Sequence, residues 1–238
     1  MTLNSGAERQ HLLTRTDFVL QSTPRHVAII MDGNRRWARR RGLPAATGHR
    51  QGAASLHALL PSIGAAGIET LTLFGFASAN WQRASSEIAH IMTLAQATFS
   101  RFAPDCVREG IAVQVIGRRD RLPAELQATI DRVERMTAGG ARRLRVALDY
   151  SSRAAILAAA RDLTGDEDGT SFGRLLGDVG DVDLLIRTGC EQRLSDFLLW
   201  ECAFAELYFP EVLWPDFSPS HLARALCWYA TRNRTFGK

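Results

Sequence analysis

Short apolar runs alternate along this chain with longer stretches in which apolar residues recur at helical spacing. The runs His26–Met31, Thr70–Phe76, Ile111–Gly117, Leu144–Asp149, Val182–Arg187 and, more weakly, Glu206–Phe209 predict strands. Helices are expected between and after them, at about 34–41, 50–66, 85–109, 123–138, 152–163 and 218–235. Strands alternating with helices imply an α/β fold with a central, mostly parallel sheet flanked by helices. Val27-Ala28-Ile29-Ile30-Met31 has no polar alternation, as a central strand buried on both faces requires. Ser85 or Ser86 can cap the 85–109 helix, and Glu87 suits its first turn. Gly165–Gly180, rich in Gly and Asp, reads as a loop with room for one short helix, and Asp166-Glu167-Asp168 within it as solvated. No repeat or linker divides the chain, so 25–238 reads as one domain behind a polar, flexible arm, residues 1–24.

A length of 238 residues, 46% of them hydrophobic and 23% charged, is enough for one sizeable core. Lys and Arg exceed Asp and Glu by 29 to 25, and the excess is arginine. The guanidinium fork suits multi-oxygen anions such as diphosphates. The only basic run lies at 35–41 with no nucleic-acid-binding motif beside it, so no nucleic-acid partner is expected. Cys106, Cys190, Cys202 and Cys227 show no C-x-x-C spacing and read as free thiols of a reducing compartment. The first two dozen residues, with Glu8, Arg9, Arg15 and Asp17, hold no apolar segment of signal-peptide length. No later run is long enough to span a membrane. The expectation is a cytoplasmic protein with at most peripheral membrane contact.

Three constellations carry chemistry. In His26-Val-Ala-Ile-Ile-Met-Asp32-Gly33-Asn34-Arg35-Arg36-Trp37, a buried strand delivers Asp32 to its carboxyl end and a helix starts near Asn34. Ligands of open parallel sheets bind at that edge, and a helix start suits phosphate oxygens. Asp32 has two readings here: a simple helix cap, or a carboxylate that shares a divalent cation with a bound anion. His49, in Gly48-His49-Arg50, could close over the same anion. Phe74-Gly-Phe76-Ala-Ser78-Ala-Asn80-Trp81-Gln-Arg83 fits a hydrocarbon held beside a polar centre, although its rings could equally be core. Asp183-Leu-Leu-Ile-Arg187 ends another buried strand, and Arg193 and Ser195 follow, a second diphosphate cradle. Glu206 is an acid in the apolar run Ala203–Phe209 and needs a partner or a metal if buried. G-x-x-x-x-G-K-[ST], G-x-G-x-x-G and paired D-D-x-x-D motifs are all missing. What remains is a reaction between two diphosphates that carry hydrocarbon tails.

The segments HVAIIMDGNRRWA, GHRQG, LTLFGFASANWQR, DLLIRTGCEQRLSDFLLW and AELYFPEVLWPDF resemble, in order, the cis-prenyltransferase family typified by undecaprenyl diphosphate synthase. The resemblance implies a homodimer whose sheet and helices enclose a hydrophobic tunnel. It also implies condensation of isopentenyl diphosphate with an allylic diphosphate such as farnesyl diphosphate, using Mg2+. By the same resemblance, Asp32 binds Mg2+, and Gly33, Asn34, Arg35, Arg36 and His49 take the first diphosphate. Trp37 and Phe76 sit at the tunnel mouth. Ser78, Asn80, Trp81 and Arg83 position the reacting ends, with Asp32 and Asn80 catalytic. Arg187, Arg193 and Ser195 hold isopentenyl diphosphate, Glu206 lies near the metal and reaches toward the partner, and Arg234 belongs to a closing tail. Departures from the pattern are Ala45 for an arginine, Ala79 for an acid, Cys190 for a glycine and Asp149-Tyr-Ser-Ser-Arg153 for N-Y-G-G-R. They leave open an alternative: a diverged member making a shorter or differently joined product, or a non-catalytic subunit. Two retained diphosphate cradles argue against the subunit.

Overall fold

The computed structural model describes residues 23–165, 168–177 and 180–233. The arm expected at 1–24, apart from Thr23 and Pro24, lies outside them, as do Asp166, Glu167 and Arg234. The described chain runs β1 (His26–Ile30), α1 (Asn34–Arg40), α2 (Ala45–Ala65), β2 (Thr70–Ala77), a 3-10 turn (Ser78–Gln82) and α3 (Ser85–Arg108). Next come β3 (Ile111–Ile116), α4 (Ala124–Thr137), β4 (Arg142–Tyr150), α5 (Ser152–Ala159), α6 (Gly169–Leu175) and β5 (Leu184–Arg187). β6 (Glu206–Tyr208), a second 3-10 turn (Trp214–Asp216) and α7 (Pro219–Ala230) complete it.

The strands form one sheet in the order β3-β4-β2-β1-β5-β6, with every neighbouring pair parallel. All five residues of β1 are buried, as its unbroken apolar run requires. Alternate side chains serve two cores. Val27 and Ile29 join the larger one with Leu59, Phe99 and Ile130 from α2, α3 and α4. Ala28 and Ile30 join a smaller one with Tyr150, Phe197 and Leu198.

The chain leaves β1 toward β2 on one side and reaches β5 on the other, so the strand order reverses at β1. The carboxyl ends of β1 and β5, where Ile30 lies level with Arg187, border the crevice that such a switch point opens.

Several local expectations shift. α2 starts at Ala45 rather than near residue 50, because Pro44, at φ −58, already sets the entry and Ala45–Thr47 continue it. Ala84 caps α3 without a side-chain bond, so neither serine is the cap. α5 and α7 end at Ala159 and Ala230, earlier than expected. The Gly- and Asp-rich loop contains α6, whose start Asp168 caps by accepting from the Ser171 N–H at 2.7 Å.

Candidate active site

β1 ends at Ile30, and Asp32 follows on the turn into α1. Gly33 takes φ 113, and a Cβ there would lie 2.8 Å from Leu213 Cδ2, so the turn requires glycine. Asp32 does not cap α1; that position is Gly33, with no side-chain bond. Instead its carboxylate lies between two guanidiniums. Arg187 Nη2 is 2.9 Å from Oδ2, and Arg36 Nη2 is 3.1 Å from Oδ1. The structure thus removes the cap reading of Asp32 and pairs its carboxylate with two arginines.

Arg187 is buried at the end of β5 and organises the loop that carries Arg193 and Ser195. Its Nη1 donates to the Arg193 carbonyl at 2.5 Å and to Ser195 Oγ at 2.8 Å. Ser195 and Asp196 sit in the left-handed region, at φ 52 and 64. The Asp196 carboxylate pins this strained loop by accepting from Ser151 Oγ at 2.6 Å and the Arg153 N–H at 2.9 Å. The Ser151–Arg153 stretch, which departs from the resembled pattern, therefore anchors the loop that carries Ser195.

Below these charges opens a cavity of about 880 Å³. Its polar end carries Arg35, Arg36, Arg39, Arg83 and Arg187 against one lining carboxylate, Asp32. Its depth is apolar, with Leu56 from α2, Ile91, Ala95 and Phe99 from α3, and Leu148 from β4. α2 reaches α1 closely at Gly48, where a Cβ would stand 2.0 Å from the Asn34 carbonyl oxygen. That contact brings His49 to the cavity wall. Burial pushes the His49 imidazole down to about 4, and the ring lies 6.5 Å from that of His90. Asn34 Oδ1, His49 Nδ1 and Arg187 Nε are buried without a hydrogen-bond partner. Three unpaired polar atoms among cavity-lining residues point to a polar ligand.

The cavity brings together Asp32, Gly33, Asn34, Arg35, Arg36, His49, Phe76, Asn80, Arg83, Arg187 and Ser195. Phe76 is 1% exposed, and Asn80 Oδ1 accepts from the Ala77 N–H at 3.0 Å. Trp37, Ser78, Trp81, Arg193 and Glu206 are not among the lining residues. Trp37 donates to Asp216 Oδ1 at 2.7 Å and lies under Arg41 instead. Ser78 bonds Asp149 Oδ1 at 2.9 Å, and Trp81 packs edge-on to Phe76. The Arg193 side chain, 61% exposed, pairs with Glu191.

Glu206 departs furthest from expectation. It opens β6 level with Leu184, which pairs with Val27. Asp32 lies beyond Ile30, so the two carboxylates are more than four strand positions apart, on the order of 15 Å. Within one protomer they do not share a metal.

Sequence reasoning passed over Glu87, Glu191 and Thr188. Glu87 holds Arg83 at 3.2 Å and reaches Arg35 at 3.9 Å. Glu191 bridges Arg36, at 3.5 Å, and Arg193. Thr188 Oγ1 donates to the Asp32 carbonyl at 2.7 Å. The Arg83–Glu87 spacing of four was the one readable signal.

A parallel sheet with a carboxylate between arginines at its switch point, above a cavity with an apolar depth, defines an α/β protein suited to a polyanion that carries a hydrocarbon tail. A family model described as "Putative undecaprenyl diphosphate synthase" matches residues 30–237, and the chain belongs to this prenyltransferase family. It is 45% identical over 229 residues to isoprenyl transferase 1 of Bradyrhizobium diazoefficiens, covering 94% of this chain and 93% of that one. It is 41% identical over 228 residues to the (2E,6E)-farnesyl-diphosphate-specific ditrans,polycis-undecaprenyl-diphosphate synthase of Pseudomonas aeruginosa, covering 90% and 91%. Among solved structures, lavandulyl diphosphate synthase from Lavandula x intermedia in complex with dimethylallyl diphosphate superposes with TM-score 0.88. The two are 33% identical over 92% of this chain and 100% of that one.

Proposed function

We propose that the chain condenses isopentenyl diphosphate with an allylic diphosphate such as farnesyl diphosphate, giving a Z-polyprenyl diphosphate of undecaprenyl-like length. The observation that carries this reading is Asp32, held between Arg36 and Arg187 at the polar end of a cavity whose depth is apolar. Incubation with labelled isopentenyl diphosphate and allylic primers of several lengths, followed by product sizing, tests it. Elongated products are expected, and no incorporation with any primer overturns the reading.

The residues divide the work. The start of α1, with Arg36 and His49, takes the allylic diphosphate, whose departing charge it stabilises. Arg187 and Ser195, with Arg193 beside them, take isopentenyl diphosphate. Asn80 and Arg83 hold the reacting ends between the two cradles. The apolar depth receives the growing chain and excludes water from the allylic carbon. The new bond joins that carbon to the isopentenyl double bond, and a proton leaves to give the cis alkene.

Among the described residues, no group of three or more His, Cys, Asp or Glu side chains could hold a metal. The donor set still fits Mg2+, which binds through one or two carboxylates together with substrate phosphates. Asp32 would hold it within one protomer, any part for Glu206 would need the partner subunit, and the ion would supply charge neutralisation at the diphosphate oxygens.

A homodimer belongs to this reading. Leu207 of β6 and Phe204 just before it are 39% and 67% exposed, and pairing would cover them. Sedimentation at micromolar concentration tests it. We place the protein in the cytoplasm on its four free cysteines. No helix among the described residues is long and apolar enough to cross a membrane. Residues 25–238 are taken as the catalytic unit, behind an arm at 1–24.

A further inference from the structure

We propose that the Arg121–Asp149 ion pair is a positioning device: it clamps one face of the Ser78–Gln82 turn and thereby sets Asn80 and Arg83 in the cavity. The inference rests on the reaction proposed above.

Side chains three residues apart in a 3-10 turn lie on one face. Ser78 and Trp81 therefore share a face, turned about 120° from the one that Asn80 takes, and Arg83 follows the turn in extended backbone. The contacts follow that division. Asn80 and Arg83 line the cavity and Ser78 and Trp81 do not. Ser78 Oγ donates to Asp149 Oδ1 at 2.9 Å, while the Arg121 guanidinium carbon stands 5.3 Å from the Trp81 ring. Arg121 grips both oxygens of the same carboxylate, with Nε to Oδ2 at 2.7 Å and Nη2 to Oδ1. One two-pronged ion pair thus touches both residues on the far face of the turn.

The turn needs such a support. Its backbone leaves β2 just after register shifts at Phe74/Phe76 and Phe76/Ala77, and Ala77, the last paired residue of β2, lies level with Tyr150. Neither end of the turn has a side-chain cap typical of a longer helix; Asn80 itself closes it by accepting from the Ala77 N–H. Asp149 is placed at a cost. Its side chain is fully buried and its backbone sits at φ 47, in the left-handed region. Burial alone would push its carboxyl up, but the hydrogen bonds from Arg121 and Ser78 outweigh burial and hold it below its usual range. A buried, strained carboxylate is tolerable only with such partners, so the clamp remains charged and rigid at neutral pH.

The test compares Arg121→Gln, Arg121→Lys and Asp149→Asn with the parent. Arg108→Gln, which removes an exposed ion pair at the far end of α3, is the control. Arg121→Lys keeps a cation beside the buried Asp149 carboxylate, so it stays informative even if Arg121→Gln or Asp149→Asn does not fold. Two readouts are taken: kcat and KM for both substrates, and amide hydrogen exchange of residues 77–83 without substrate. Arg121→Gln should lower kcat about tenfold or more, since small displacements of positioning groups are costly, with KM little changed. Exchange at 77–83 should rise while the sheet remains protected. Arg121→Lys, with the charge but not the fork, should fall between. Unchanged exchange, or unchanged kcat with only a lower melting temperature, overturns the clamp. If the parent itself condenses nothing, the reaction is refuted, and the exchange data still decide whether the pair holds the turn.

Discussion

Arg187 Nη2 lies 2.9 Å from Asp32 Oδ2, joining the carboxyl ends of β5 and β1 across the switch point of the sheet. The same guanidinium donates through Nη1 to the Arg193 carbonyl and to Ser195 Oγ. One buried side chain therefore couples the Asp32 carboxylate to the Ser195 hydroxyl, which the proposed reaction assigns to its two diphosphates.

Asp32→Ala should cut the condensation rate by about 100-fold or more, because it removes the only carboxylate among the described residues that line the cavity. It also leaves Arg187, 5% exposed, without its counter-ion. Because Asp32 itself is partly open to solvent, the expected loss of stability is only about 1–3 kcal/mol. Steady-state turnover and thermal unfolding check the two effects. Near-normal turnover, or full activity of the parent in excess chelator, would refute a metal-bridging role.

Arg193→Ala should mainly raise KM for isopentenyl diphosphate and leave allylic primer binding almost unchanged. Its side chain is exposed and held by Glu191, while its carbonyl, retained in the variant, still orients Arg187. Separate titrations with each substrate check this. Equal weakening for both would show that the cradles are assigned the wrong way round.

The strands were legible because each is a compact apolar run, and β1, buried on both faces, has no polar position to obscure it. Asp32 and Arg187 could be placed at the carboxyl edge of the sheet because they directly follow or end such runs. What escaped depends on contacts between distant positions. Arg121 and Asp149 are 28 residues apart, and nothing in their spacing announces a shared ion pair. Ser78 and Trp81 sit in the same short motif as Asn80 and Arg83, and only the three-residue period of the turn points them away from Asn80. Glu206 looked like a site acid because its run is apolar, but strand register places it at the other end of the sheet. A one-dimensional pattern gives which face of a strand a residue takes, not its level against a neighbour.

Stability should fall as pH drops from about 6.5 toward 4. Burial holds His26, and likewise His49, at about 4 rather than 6.5. In that window the unfolded chain binds protons that the folded chain does not, so the stabilising contribution is complete above pH 6.5 and declines below it. His26 is 5% exposed, with Nδ1 3.1 Å from the Asp181 carbonyl and Nε2 2.8 Å from Thr72 Oγ1. Its share is at most roughly 3 kcal/mol. Urea unfolding at pH 7, 6 and 5 should show the decline, and His26→Gln should flatten it. An unchanged slope in that variant would remove His26 from the account.

Product length should be set on α3, by side chains in the apolar depth of the cavity rather than by either cradle. Ile91, Ala95 and Phe99 recur at helical spacing and all line the cavity, whereas Ile88 and Met92, on the same apolar stripe, do not. Phe99 is 3% exposed and braced by Phe102, with ring centroids 5.4 Å apart, so it forms a firm wall. Ala95, one turn closer to the polar end, leaves open the space that a larger side chain would fill. Phe99→Ala should deepen the cavity and lengthen the product, at a stability cost of about 3–5 kcal/mol for truncating a buried ring. Ala95→Phe should block the path early and shorten the product. Because neither position touches Asp32, Arg36 or Arg187 in the contacts that build the cradles, primer affinity should change little. Product sizing with one primer at saturating isopentenyl diphosphate separates the outcomes. Parental products from both folded variants would mean that α3 contributes packing alone and that the stop lies on another wall, such as Leu56 of α2 or Leu148 of β4.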